Sequence, residues 1–175
     1  MKNNKKFLIA IFSIILVTAG VYAYFGGFSK PDIARITSPE IHVAGKEYKG
    51  SVKTEEFGNL FLEAGQLVAQ KKITGDLGGI YYNDPEKHKD SIHAFIGVII
   101  PNLNTPVPAG YKVRTLPAGK KAIQGKIESH LALAPAKLFP AIFKYAEENN
   151  IPLQDFFVER YPDTDHAEVL VFEKE

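Results

Sequence analysis

Two short stretches decide how this chain folds: YYNDP, Tyr81–Pro85, and VERYP, Val158–Pro162. At an offset of 77 they fall on one another, which sets Tyr82 opposite Glu159 and Asp84 opposite Tyr161. Each ends in a proline, which has no N–H to give a sheet and stops a strand. Each is followed by a polar loop and an apolar run, SIHAFIGVIIP (Ser91–Pro101) and HAEVLVFEKE (His166–Glu175). Upstream of each lies a helix. The first, Thr54–Ile73, opens on a capping threonine, with Glu55 and Glu56 in its first turn and Lys71 and Lys72 in its last. Its apolar stripe runs through Phe57, Leu60, Phe61, Ala64, Leu67 and Val68. The second, Ala134–Asn150, carries Leu138, Ala141, Ile142 and Tyr145 on one side, and Pro140 marks its first turn or a kink.

Leading strands come from Ile41–Val52 and from the extended chain Tyr111–Ser129, which breaks at Pro117, Ala118 and Gly119. The order is strand, helix, strand, strand, and then the same again, with the Pro-rich Pro101–Gly110 as the join. This predicts an α+β domain of two duplicated units: an antiparallel sheet, two helices on one face, a pseudo-twofold, and a pocket between the halves.

Ahead of the repeats, MKNNKK carries Lys2, Lys5 and Lys6, and no charge occurs from Phe7 to Phe25. As a helix that run would extend about 28 Å, near the roughly 30 Å of a hydrocarbon core. Tyr22 and Tyr24 fall where an aromatic belt is expected. The run reads as a transmembrane anchor, single-pass, with the N-terminus inside; Val21-Tyr22-Ala23 also offers a signal-cleavage site after Ala23. The expected organisation is a cytoplasmic tip and anchor (or signal peptide) over 1–25, a Gly/Ser/Pro linker over 26–40, and a globular domain over 41–175. That domain is expected outside the cytoplasm, anchored to the membrane as partner or secreted after cleavage.

Composition excludes several classes. With 21 Lys+Arg against 20 Asp+Glu, nothing global steers the chain to nucleic acid, and the Lys71-Lys72 and Lys120-Lys121 pairs are isolated. No cysteine means no disulfide and no thiol nucleophile; there is no Gly-x-Ser-x-Gly, and GDLGG precedes a strand, not a helix. His88 and His93 have Asp84, Glu86 and Asp90 nearby, and His166 follows Asp163 and Asp165, but no pair has the helical i,i+4 spacing of a zinc site. No metal and no cofactor is expected.

The chain resembles the GyrI-like small-molecule-binding domain, the effector-binding domain of AraC-type and MerR-type regulators. The resemblance rests on VRTLPAGKKAIQGKIESHL (Val113–Leu131), GIYYNDP (Gly79–Pro85), the Glu-x-Tyr of VERYP, and the closing AEVLVFEKE, and covers about Ile41 to Glu173. It implies the duplicated fold and an aromatic-lined cavity between halves. In drug-binding members the glutamate of Glu-x-Tyr faces cationic, lipophilic ligands, a role that would fall to Glu159 with Tyr161 beside it. The chain departs from the family in lacking Trp, which the ring-hydrolysing subset uses near the acid, and IQGKIES (Ile123–Ser129) replaces a His-x-Gly-Pro stretch. No helix-turn-helix precedes the domain, so the regulator role does not carry over.

Alternation in a strand puts Phe157, Glu159 and Tyr161 on one face. A carboxylate between rings is disfavoured as an ion, and a lipophilic cation would offset that penalty by pairing with it, with ring faces adding cation–π attraction. The expected ligand-binding site is Glu159, Tyr161, Phe157 and Tyr82, walled by Tyr81 and Tyr48, with no catalytic residue. The opposing possibility is that Glu159 is solvated or paired with a lysine. Phe57, Phe61, Phe139 and Phe143 read as core. The function expected is a membrane-tethered, non-catalytic binder of small amphipathic or cationic molecules. Alternatives are a hydrolase using Glu159 as general base, and a protein-interaction module at a membrane.

Overall fold

The computed structural model describes residues 2–84 and 87–174, without the side chains of residues 2–6 and 8–10. Pro85, Glu86 and Glu175, which the sequence reading used, lie outside the described residues. In chain order the elements are α1 (Lys2–Tyr24), β1 (Asp32–Thr37), β2 (Ile41–Ser51), α2 (Glu55–Ala69), β3 (Asp76–Tyr81) and β4 (Ser91–Ile100). The second set is β5 (Lys112–Leu116), β6 (Lys121–Glu128), α3 (Ala134–Glu148), β7 (Leu153–Tyr161) and β8 (His166–Glu173).

The eight described strands form one sheet in the order β1-β6-β8-β7-β3-β4-β2-β5, antiparallel at every pairing. The duplication is plain in that order. β6-β8-β7 is one half and β3-β4-β2 the other, and they join where β3 pairs with β7. Each half is capped by a strand from the opposite repeat: β1 on β6, and β5 on β2. The unit is therefore strand-strand-helix-strand-strand, one strand longer than expected. The extra strand of the first repeat, β1, lies inside the stretch read as a linker over 26–40. An exposed edge strand carries no apolar period, and its partner lies some 90 residues downstream (Ile33 against Gly125), so local sequence does not mark it.

The helices form where the sequence places them, with firmer ends. Thr54 caps α2, its hydroxyl accepting from the Phe57 N–H at 3.3 Å and meeting the Tyr48 hydroxyl at 2.6 Å. The helix ends at Ala69, and Lys71 turns to φ 56°, so Lys71 and Lys72 lie beyond the last turn rather than in it. α3 holds Pro140 in its interior, seventh from its start. Gly125 on β6 makes room for α3: a Cβ there would stand 3.0 Å from Leu138 and 3.0–3.1 Å from Ile142.

The expected transmembrane helix is corrected: among the described residues, no helix is long and apolar enough to cross a membrane. α1 does form, over Lys2–Tyr24. The membrane anchor, the membrane as partner, the single-pass signal-anchor description and the anchored placement outside the cytoplasm fall with the expected span. The Lys2, Lys5 and Lys6 side chains, which set the expected orientation, lie outside the described residues. What the structure shows instead is a tie to the sheet domain. The Phe25 carbonyl accepts from the His130 N–H at 3.1 Å, and Lys137 Nζ donates to the Gly26 and Gly27 carbonyls at 3.0 and 2.6 Å.

Candidate functional site

The seam between halves is the β3–β7 pairing, with Leu77 opposite Tyr161, Gly79 opposite Glu159 and Tyr81 opposite Phe157. Opposed residues share a sheet face, and alternation then sorts the side chains. Tyr81, Phe157, Glu159 and Tyr161 all point to the helical face. Next across the sheet from Glu159 stand Val169 on β8, and Ile96 on β4 beyond Gly79. No side chain from Gly79 competes with the carboxyl for that space.

Glu159 is buried, with 8% of its surface exposed, the same as Phe157 and Tyr161. The core on this face contains Tyr48, Tyr81, Ile96, Phe157, Tyr161 and Val169, and the half-buried Phe57, Phe61 and Phe139 of the helices pack against it. Tyr161 Oη donates to Glu159 Oε2 at 3.1 Å, and the Tyr81 hydroxyl bonds the same carboxyl. No ion pair to Glu159 occurs among the described residues. Burial is the main influence on the acid and pushes its pKa up, against the two phenol hydrogen bonds, which pull it down. Burial likewise raises the Tyr81 and Tyr161 hydroxyls, and the neighbouring acid adds to it.

The rings beside the acid are ordered. Tyr81 and Phe157 stack with centroids 4.7 Å apart and planes 8° from parallel. Phe139 meets Phe157 edge-on at 5.0 Å, and Phe143 lies 5.9 Å from Phe139. In the other half, Tyr48 and Phe57 are 5.3 Å apart, and Phe57 and Phe61 likewise. The acid therefore sits at the floor of the seam, with a chain of rings leading from each helix toward it. Tyr48 belongs to the same core, its hydroxyl donating to the Ser51 carbonyl at 2.8 Å.

Tyr82 lies elsewhere. It points to the opposite sheet face, with Ile80, Phe95, Val158 and Phe172. Its hydroxyl accepts from Arg114 at 2.8 Å, and its ring faces His93 at 4.5 Å. The reason is arithmetic of the pleat: corresponding strands end on Tyr81 and Tyr161, an offset of 80, whereas an odd offset of 77 exchanges the two faces. Phe139, which the sequence places in the core, packs against that core and also stands against Phe157 beside the acid. Its signal was present but ambiguous, since a helical aromatic facing a sheet serves core and site alike.

Two surface clefts accompany this site, and neither includes Glu159. One of about 450 Å3 is lined by Tyr82, Asn83, His88 and His93; the other, about 560 Å3, by Ile41, Asp76, Val158, Arg160 and Leu170. Among the described residues no three metal-binding side chains come together. His166 lies 2.8 Å from Asp163, and Asp90 is held by Lys53 at 2.6 Å.

A family described as the GyrI-like small molecule binding domain matches residues 32–172, the sheet and both of its helices. No curated protein matches the chain. Among solved structures, an integron cassette protein from the mobile metagenome of Vibrio cholerae is similar at 13% identity and a TM-score of 0.60, covering 83% of this chain and 99% of that one. The C-terminal domain of EcmrR is similar at 17% identity and a TM-score of 0.56, over 84% and 98%. SAV2435, bound to tetraphenylphosphonium, is similar at 13% identity and a TM-score of 0.55, over 82% and 94%. At these identities the likeness is one of fold.

Proposed function

We propose a ligand class for this chain, which belongs to the GyrI-like family of small-molecule-binding domains: a lipophilic organic cation, met at the seam by Glu159. The observation that carries the reading is a buried carboxyl among aromatic rings with no cationic side chain paired to it in the described residues. A buried charge without a partner is costly, and a guest cation supplies the partner. Tyr81, Phe157, Tyr161 and Phe139 would then offer ring faces, each adding about 0.5–2 kcal/mol of cation–π attraction. Tyr48 would form a more distant wall. Tyr82 has no place in this site because it faces the other side of the sheet. That SAV2435, of similar fold, was solved with tetraphenylphosphonium makes this cation the natural first probe.

In this reading the stack of Tyr81 on Phe157 is the closed state, and the guest opens it. Binding energy is spent partly on separating rings whose contact is worth about 0.5–1.5 kcal/mol. Calorimetric titration of tetraphenylphosphonium into wild type and Glu159→Gln tests the proposal. Wild type should bind, and the variant should bind at least tenfold more weakly. Equal affinities would remove Glu159 as the recognition group.

A further inference from the structure

We infer that the empty site holds Glu159 as the neutral acid, and that an entering monocation takes the place of one proton, which leaves to water. The inference rests on the reading of Glu159 as the group that meets the cation. Its footing is the arrangement around the carboxyl. Both its strand neighbours across the sheet, Gly79 and Val169, are without charge, and the side chains on the helical face beside it are Leu77, Tyr81, Ile96, Phe157 and Tyr161. The Tyr161 hydroxyl stands 3.1 Å away, longer than the roughly 2.5–2.7 Å of a hydroxyl bound to an anion. Two phenols and a set of hydrocarbon walls do not replace the hydration of a carboxylate.

Among the other titratable groups on this face, Arg35 of β1 and Glu173 of β8 hold each other at 2.7 Å. From β2 come Tyr48 and Lys46, and Lys46 Nζ is held by Glu63 of α2 at 2.6 Å. Lys46 shares the cross-sheet row of Glu159, but three strands away, on the order of 14 Å at the usual strand spacing. From α3 come Lys137, spent on the Gly26 and Gly27 carbonyls, and Tyr145. Asp155, farther down β7, pairs with Lys87 at 2.5 Å. Glu168 and His166 of β8, and His93 of β4, alternate to the opposite face. No base is thus left to keep Glu159 ionised in the empty state. Burial acts on the acid in the same direction.

The exchange balances. The O–H bond of the carboxylic acid breaks, the proton passes to water or buffer, and the carboxylate pairs with the guest. The buried site is neutral before and after, which is the condition a water-poor pocket favours. The phenols of Tyr81 and Tyr161 keep their protons throughout, since burial raises both. Apparent affinity should then rise about tenfold per pH unit below the titration midpoint of the acid and level off above it.

Two measurements test this on the full chain. Carbon-detected NMR titration of the glutamate carboxyls, with Glu159→Gln for assignment, should give Glu159 a midpoint clearly above the roughly 4.3 of an unperturbed side chain. A midpoint at or below that value overturns the inference, whatever binds. Calorimetry with tetraphenylphosphonium, in two buffers of unlike ionisation heat, then counts protons. Close to one should be released per cation one pH unit below the midpoint, and close to none well above it. Tight binding without release at the lower pH would overturn the exchange and leave the cation reading standing. Absence of binding at every pH would overturn both.

Discussion

Replacing Glu159 by leucine should destabilise the domain, and removing its two phenol partners as well should restore it. In Glu159→Leu the hydroxyls of Tyr81 and Tyr161 keep their buried positions but lose the carboxyl they bond. A buried polar group left unpaired costs about 1–3 kcal/mol. Two such groups are orphaned, while the unfavourable burial of the acid itself is relieved, so a net loss of roughly 1–3 kcal/mol is expected. The triple variant Glu159→Leu, Tyr81→Phe, Tyr161→Phe has no orphan and keeps the Tyr81–Phe157 stacking surface. It should return to within about 1 kcal/mol of wild type, or exceed it, because removing a whole buried polar cluster is nearly neutral or stabilising. Urea unfolding followed by far-UV circular dichroism, with midpoints compared at an unchanged slope, reads both differences. If the triple variant were no more stable than the single one, the three groups would not form one hydrogen-bonded cluster, and the site described above would be wrong.

Other expectations follow from the same contacts. Because burial raises the pKa of Glu159 in the folded state, its contribution to stability is full below the unfolded value and is lost as pH rises through the folded one. The difference between wild type and Glu159→Gln in thermal unfolding should therefore shift against wild type from about pH 4.5 upward. A flat difference across pH 4–8 would contradict the buried acid. Gly125→Val should cost about 1–3 kcal/mol, since a Cβ there already presses on Leu138 and Ile142 of α3; a neutral result in urea unfolding would mean α3 does not seat on β6 this closely. Thr54→Ala should cost about 1 kcal/mol through the lost helix cap. In a Tyr48→Phe background that loss should be smaller, because the contact between the two hydroxyls is already gone, whereas an unchanged loss would mean they act independently.

The repeated plan was legible in the sequence because its signals are local: the cap at Thr54, the stripe from Phe57 to Val68, and the apolar β4 and β8. That Glu159 shares a face with Phe157 and Tyr161 was legible from alternation, but its burial was not, since a solvated or lysine-paired acid fits the same pattern. What failed was longer in range. β1 pairs with β6 far along the chain, so its residues look like linker until the partner is seen. Tyr82 was misplaced because an alignment of few identities slid by an odd number, and a one-residue error in a strand moves every side chain through the sheet. Tyr81, set as a wall, is instead one of the two phenols on the acid. The uncharged N-terminal run predicts a span from its length, its flanking charge and its terminal tyrosines, whereas among the described residues no helix is long and apolar enough to cross a membrane.

The central claim, that charge at the seam selects the guest, is tested most directly by a matched pair of ligands. Tetraphenylphosphonium and the uncharged triphenylphosphine oxide offer similar rings and differ in charge. The account predicts that wild type prefers the cation by tenfold or more in calorimetric titration, and that Glu159→Gln loses that preference. Equal affinity of wild type for both, or an undiminished preference in Glu159→Gln, would contradict it.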